Sequence, residues 1–472
     1  METSIRSKEP LVAVVGAGLA GSEAAWQLAQ RGVQVRLYEI RPTQSTPAHT
    51  TGLYAELVCS NSFKSLHSAT AAGCLKAELA LLGSFVLRCA MEARVPAGAA
   101  LAVDRTLFAK SVTEALQKHP LIEIVSREVK TLDELTEDGC EFAIIATGPL
   151  TSDAFAACLG NELGQAHLSF FDAAAPIVMA DSLDYQALFA QSRYDKSADT
   201  ISSDYLNAPF TKESYDRFIT ELVKAERVIM RDFERKEFFK ACQPIEELAR
   251  TGNDALRFGA LKPVGLTDPA TGKRPWAAVQ LRAENHERTA YNLVGFQTNL
   301  TFPEQKRVFR LIPGLEQAEF ARYGVMHRNT FVNAPQALGA SFEIPNRPQV
   351  ILAGQLTGTE GYTEAIASGL LAALTVYSRV QGLEATELPR ETCFGALVAY
   401  ATDPKTTHYQ PMHVNFGLLP ALEPLIRKKE IRYEAFFERA LTSLTTFINE
   451  HRELGFQPSF ELPLVLKEGA EK

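Results

Sequence analysis

Six residues, Gly16-Ala17-Gly18-Leu19-Ala20-Gly21, follow the apolar run Leu11 to Val15 and lead into Ser22-Glu23-Ala24-Ala25-Trp26-Gln27-Leu28-Ala29. This order predicts a strand, a glycine turn and a helix. The first glycine permits a tight turn, the second lets a pyrophosphate approach the backbone, and the third lets helix and strand pack closely. The phosphates then face the positive end of the helix. Alone the motif also fits an ordinary glycine turn, so the context decides. After Gly32, Val33 to Tyr38 reads as a second strand and Glu39 stands at its end. A carboxylate there accepts bonds from ribose hydroxyls and favours FAD or NAD over NADP.

Two later stretches extend the pattern. Glu141 to Gly148 is an apolar strand ending in Thr147-Gly148, and Val350 to Gly354 is another, followed by a Gly- and Thr-rich loop to Thr363 and a helix through Glu364 to Leu374. The amides at that helix start can face an electron-rich ligand. The early glycine turn, the Thr-Gly strand and the late strand-loop-helix together favour FAD as the bound dinucleotide. Between them the chain changes character. Residues from about 205 to 250 read as long charged helices, and Arg274 to Leu281 and Tyr291 to Phe296 alternate like strands of a smaller sheet. The expected fold is α/β: a discontinuous Rossmann-like FAD-binding domain at 10–175 and 325–472, with a smaller α+β substrate domain inserted at 176–324.

With 472 residues and 46% hydrophobic content the chain can bury large cores. No apolar run approaches the roughly 18 residues of a membrane span, and the polar start feeds directly into the nucleotide strand. The expectation is a cytoplasmic protein with no membrane partner. Seven cysteines, at 59, 74, 89, 140, 158, 242 and 393, form an odd set without a CxxC pair. That argues against a disulfide framework or a zinc site, so no metal is expected. A net charge of −8 gives no global pull towards nucleic acid. Basic clusters do occur at Lys224, Arg227, Arg231, Arg235 and Lys236, at Lys306, Arg307 and Arg310, and at Arg427, Lys428, Lys429 and Arg432.

Several longer segments then match one family. Gly16 to Pro42, Thr46 to His49, Ala55 to Ser62, Val95 to Arg105, Arg257-Phe258-Gly259, Lys262 to Leu266, Val294 to Thr298, Tyr323 to Thr330, Gly354 to Tyr362 and Tyr409 to Gly417 resemble the folate- and FAD-dependent tRNA (uracil-5-)-methyltransferases. The resemblance runs from about residue 11 to about 440. It implies formation of 5-methyluridine at position 54 of the tRNA T-loop, with methylenetetrahydrofolate as carbon donor and reduced FAD, reloaded by NAD(P)H, as electron donor. The implied FAD contacts are Gly16, Ala17, Gly18, Leu19, Ala20, Gly21, Glu39, Arg41, Ser60, Asn61, Ser62, Thr147, Gly148, Gly354, Glu360, Gly361 and Tyr362.

The implied reaction needs a thiolate that adds to carbon 6 of uracil, because carbon 5 is a poor nucleophile until charge is pushed into the ring. Cys242 and Cys59 are the candidates by their place in family motifs. The expectation is that Cys242 attacks the base while Cys59 works beside the flavin, although the roles can be exchanged. Around Cys242 this chain has Lys240, Ala241 and Gln243, where the family usually writes Phe-Glu-Gly-Cys-Leu-Pro. A base must also remove the carbon 5 proton, and either a cysteine or Glu246 could do so. The uridine must be turned out of the loop. Phe239, Phe296, His327, Arg328 and Asn329 are candidate contacts for base or folate. Three alternatives remain open at this stage: a flavin- and folate-dependent modifier of the wobble uridine, a small-molecule flavin oxidoreductase, and a non-catalytic tRNA-folding factor that retains FAD.

Overall fold

The computed structural model describes residues 10–463 apart from 45, 47–48, 165–167, 174, 194–204, 229–242, 286, 325, 384–386, 407–408, 459 and 461. The apolar run Leu11–Val15 forms the central strand β1, and the glycine turn leads into helix α1 (Leu19–Gln30) and strand β2 (Gln34–Glu39). On one side β1 pairs with β2, which pairs with Ile122–Ser126. On the other it pairs with Phe142–Ile145, which pairs with Arg347–Leu352. These five strands are parallel, and Glu343–Ile344 adds an antiparallel edge. Helix α1 packs against the late helix Tyr362–Val380, so the two helices expected from sequence lie together on one face of this sheet.

A second, antiparallel sheet of six strands has the order Phe189–Ala190, Tyr205–Phe210, Ala277–Ala283, Ala290–Leu293, Ile177–Met179 and Phe320–Arg322. It has its own core, in which Phe210, Phe218, Phe296 and Phe309 are buried. The stretch near 205 begins as a strand rather than as a charged helix. Tyr205 to Phe210 pairs along its whole length with Ala277 to Arg282, and the charged helix Lys212–Lys224 starts only after Thr211 caps it. Long-range pairing overrides local charge pattern here. The strand expected from Arg274 begins at Ala277, because residues 271–274 are an exposed turn.

The chain passes between the two sheets on a two-stranded antiparallel ribbon, Leu168–Ala173 with Met326–Phe331. The first core draws on residues 12–159 and 331–454 and the second on residues 175–318. The late segments are tied to the first sheet's helices by buried groups. Glu78 on helix α2 (Ala71–Leu81) accepts the N–H groups of Cys393 (2.6 Å) and Phe394 (3.1 Å) at the start of the helix Cys393–Thr402. Burial pushes its carboxyl up to about 7 even though these bonds oppose the shift.

Candidate functional site: a glycine-lined cavity with a clamped cysteine at its wall

The carboxyl ends of β1 and β2 open into a cavity of about 400 Å³, where an α/β sheet is expected to bind its ligand. Gly16 holds φ at +98°, and a Cβ there would lie 2.6 Å from the carbonyl oxygen of Ala146. A Cβ on Gly21 would lie 1.8 Å from the carbonyl oxygen of Gly16. Nothing lies within 4 Å of the Cβ position of Gly18. Two glycines therefore pack the turn and the third leaves its backbone open. Gly18 is the N-cap of α1 and Gly361 that of the late helix, and neither helix start carries a side-chain cap. Helices away from the cavity, such as Arg105–Lys118 behind Asp104 and Lys212–Lys224 behind Thr211, carry one. Uncapped amides at a cavity wall suit an anionic ligand.

Glu39 closes the adjoining wall. Its Oε2 accepts the Ala17 N–H (2.8 Å), and its Oε1 accepts the backbone N–H (3.0 Å) and Nε (2.8 Å) of Arg41. Burial opposes ionisation of Glu39, but the hydrogen bonds and charge of Arg41, with the Ala17 amide, outweigh it and hold the carboxyl below its ordinary range. Oε1 is filled by the two Arg41 donors, and Oε2 keeps a further lone pair for a ribose hydroxyl. Arg41 also donates to the Leu53 carbonyl (2.9 Å) and pairs with Glu56 (3.5 Å), which accepts the amides and hydroxyls of Thr50 and Thr51. The open glycine, the paired carboxylate and the two bare helix starts fit the pyrophosphate and ribose of a dinucleotide.

Gly16, Gly18, Leu19, Ala20, Glu39, Arg41, Cys59, Ser60, Ser62, Thr147, Gly148, Gly354, Glu360, Gly361 and Tyr362 line this cavity. Ala17 and Gly21 stand behind the lining, where they shape the turn. Tyr362 accepts the backbone N–H groups of Cys59 and Ser60, both at 3.0 Å. Desolvation drives its phenol well above the ordinary range, so it stays protonated. The Cys59 loop is gripped from three directions. Arg105 donates to the Leu57 carbonyl (2.7 Å), Arg322 to the Val58 carbonyl (2.6 Å), and Arg282 to Asn61 Oδ1 (2.7 Å) and Ser60 Oγ (2.9 Å). Arg282 and Arg322 come from the second sheet. Glu284, also from the second sheet's side, meets Arg105 at 2.6 Å. Cys59 thus lies at a cationic junction of both sheets, the kind of setting that favours a thiolate.

Three expectations need correction. Asn61 is fully buried, donates to the carbonyls of Val103 (3.1 Å) and Ala283 (3.0 Å), and is absent from the lining, so it joins the two sheets rather than touching a cofactor. Phe296 is fully buried in the second core against Phe218 and Phe309, and touches no open surface. Glu246 is also fully buried, where it accepts the Thr298 hydroxyl (2.9 Å) and the Asn299 amide (2.7 Å). That bonding leaves it a structural anchor, and desolvation raises its pKa. His327, Arg328 and Asn329 lie on the connecting ribbon, paired through their backbones with Asp172, Phe171 and Phe170. Cys242 and Phe239 lie outside the described residues.

The sequence reading missed Arg282, Arg322 and Lys64, and gave no role to Arg105 or His413 although both lie in quoted motifs. Arg282 carried a signal, the one charged residue in the mostly apolar strand Ala277–Ala283. Lys64 and His413 also line the cavity, with Nζ 2.8 Å from Nδ1.

A parallel sheet with this glycine turn, a carboxylate at the end of its second strand and a late strand and helix returning beside it defines a dinucleotide-binding flavoprotein-type fold carrying an inserted antiparallel unit. The solved structure of Aquifex aeolicus GidA shares that fold with a TM-score of 0.68 at 16% identity, covering 96% of this chain and 77% of that one. The family model for glucose inhibited division protein A matches residues 11–384. The methylenetetrahydrofolate–tRNA-(uracil-5-)-methyltransferase TrmFO of Brevibacillus brevis is 50% identical over 442 residues, covering 94% of this chain and 99% of that protein. The TrmFO of Heliobacterium modesticaldum is 49% identical over 440 residues, covering 93% and 98%. This chain belongs to the TrmFO family.

Proposed function

We propose that this protein methylates carbon 5 of a uridine in tRNA, taking the carbon from methylenetetrahydrofolate, with FAD held in the glycine-lined cavity. The observation that carries the reading is the meeting of two features at one wall: a dinucleotide-shaped cavity and a cysteine loop held there by arginines of both sheets. When bound, FAD supplies the two electrons that reduce a methylene to a methyl. The chain's residues supply the rest. Gly18 and the start of α1 hold the pyrophosphate, Glu39 the ribose, and Arg41 keeps Glu39 ionised. Tyr362 fixes the Cys59 backbone at the cavity wall, and Arg105 and Arg322 lower the cost of a thiolate at Cys59.

The finer reading extends this. The target is the uridine at position 54 of the T-loop. Cys242 adds to carbon 6 while Cys59 serves at the flavin side, NAD(P)H reloads the flavin, and the reaction runs in the cytoplasm. Residues 10–175 with 325–472 form the FAD-binding domain, and 176–324 present the tRNA. His327, Arg328 and Asn329, on the ribbon between the sheets, are suited by position to meet base or folate.

The test is an unmodified tRNA transcript incubated with labelled methylenetetrahydrofolate and NADH, using the wild-type protein, Cys59→Ala and Cys242→Ala. The expected result is label in T-loop fragments for wild type and loss of at least about a thousandfold in either variant, with flavin content retained. Unlabelled RNA from wild-type protein that is loaded with flavin would overturn the reading.

A further inference from the structure

The second sheet carries a surface feature that the cavity does not use. Phe302, Tyr323 and Phe320 form a stack of three nearly parallel rings. Phe302 and Tyr323 have centroids 4.8 Å apart at 15°, and Tyr323 and Phe320 5.0 Å apart at 14°. Phe302 ends the stack and is 51% exposed, whereas the adjacent core fully buries Phe296 and Phe309. A ring aligned by its neighbours, with one face towards solvent, is a surface for another flat ring.

The stack is held rigid. Gln305 is fully buried, its Nε2 donates to the carbonyls of Gly324 and Leu300 (both 2.8 Å), and its Oε1 accepts the Gly324 N–H (2.8 Å). The backbone next to Tyr323 is thereby fastened to the helix Phe302–Phe309 that carries the outer ring. Rigid aromatic surface loses little entropy when a partner lands on it.

Its position and charge point to one kind of partner. Arg322, between Phe320 and Tyr323 in the chain, donates to the Val58 carbonyl beside Cys59, so the stack belongs to the segment that clamps the cavity wall. The Val228 and Ile245 amides donate to the carbonyls of Asn299 and Gln297, which lie three and five residues before Phe302. Lys306, exposed one turn after Phe302, shares its side of the helix. Its basic neighbours are engaged, Arg307 with Glu304 and Glu221, and Arg310 with the Ala318 carbonyl. A half-exposed ring next to an exposed ammonium matches a nucleobase and its phosphate.

We infer that the outer face of Phe302 is a stacking platform for a base of the substrate tRNA that flanks the target uridine, with Lys306 meeting that nucleotide's phosphate. The inference rests on the tRNA reading above and deepens it by naming where the RNA is held. Single-strand binding sites gain their affinity from such stacking, with a sequence tolerance that comes from every base having a flat face.

The experiment measures tRNA affinity and the KM and kcat for tRNA with Phe302→Ala, Phe302→Leu, Phe302→Trp and Lys306→Ala in the flavin-loaded protein. Stacking of one base predicts that Phe302→Ala weakens tRNA binding between about 5- and 150-fold. Phe302→Leu, which keeps apolar volume but not the flat ring, should be weakened comparably, and Phe302→Trp should stay within about threefold of wild type. Lys306→Ala should lower the slope of log affinity against log salt by about 0.7 to 0.9, and Phe302→Ala should leave that slope unchanged. A 2-aminopurine placed in turn at each T-loop position should show quenching at one site that Phe302→Ala abolishes. A Phe302→Ala protein with normal flavin content and wild-type tRNA affinity and KM overturns the inference, as does a Leu variant that binds as well as wild type. Wild-type protein that neither binds nor methylates the transcript overturns the underlying tRNA reading instead.

Discussion

The cavity wall from Gly16 to Glu39 and the wall from Leu57 to Ser62 face the same space but are built differently. The first is local: one strand, one turn and one helix within 24 residues, with the key contacts made by backbone amides and a carboxylate at the next strand end. The second has almost no structure of its own. Its loop carbonyls and side chains are taken up by Arg105, Arg282 and Arg322 and its amides by Tyr362, which stand 48 to 303 residues further along the chain. A wall made from backbone tolerates changes in distant residues, whereas a wall made from distant side chains fails when any one of them is lost. In the proposed function, the first design holds the dinucleotide and the second holds Cys59.

The sharpest way to break the comparison lies in the glycine turn. Gly21→Ala places a methyl against the Gly16 carbonyl, which has nowhere to move, so overpacking should cost about 3 kcal/mol or more and abolish flavin uptake. Gly18→Ala meets open space at an allowed φ of −74°. It should change apo stability by less than about 0.5 kcal/mol while still weakening flavin binding. Thermal melts with and without FAD, together with flavin absorbance per protein, separate the two. Equal loss of stability in both variants would show that the turn is packed throughout.

Next in size is Arg282→Met, which keeps the buried stem but removes the donors to Ser60 and Asn61. Two charged hydrogen bonds are worth about 3 kcal/mol together, so stability should fall by about that much and methyl transfer should collapse, with the dinucleotide still bound. Flavin titration against turnover reads this out. If flavin affinity falls as steeply as turnover, the two walls are not separable. Smaller again is Glu39→Gln, which should weaken FAD binding about 5- to 100-fold by costing one charge-assisted ribose bond, as isothermal titration would show.

The smallest effect concerns pH and the joint between α2 and the helix Cys393–Thr402. Glu78, with its carboxyl pushed up to about 7, binds a proton in the native state at pH values where the unfolded carboxyl, near its ordinary 4.5, has already lost it. The native state therefore holds more protons between these values, and stability should fall as pH rises from about 5 to 7. In Glu78→Gln that part of the slope should vanish, as urea midpoints taken at each pH would reveal. An unchanged slope would mean that the two backbone amides hold Glu78 ionised throughout.

Much of the first sheet was legible from sequence. The period and spacing of Leu11 to Val15, the glycines and Glu39 read as they fold, because each glycine's role depends on atoms only a few residues away. Thr147-Gly148 and the loop before Tyr362 were equally readable as strand ends, and both line the cavity. The second sheet was less so. Tyr205 to Phe210 read as the start of a charged helix because its partner strand begins 67 residues after its own last residue, and Glu246 read as a possible base because sequence does not show that it is buried with Thr298 and Asn299 each bonded to one of its oxygens. Phe296 and Asn61 misled in the same way, as motif residues whose burial only packing reveals.

What the chain determined by itself was the glycine turn, the acid after the second strand and the presence of a thiol at position 59, since local sterics and periodicity act within a few residues. Tertiary structure alone decided what surrounds that thiol. Arginines from a separate sheet reach its loop only once both cores have formed, because a buried cation must find its acceptors in space rather than along the chain.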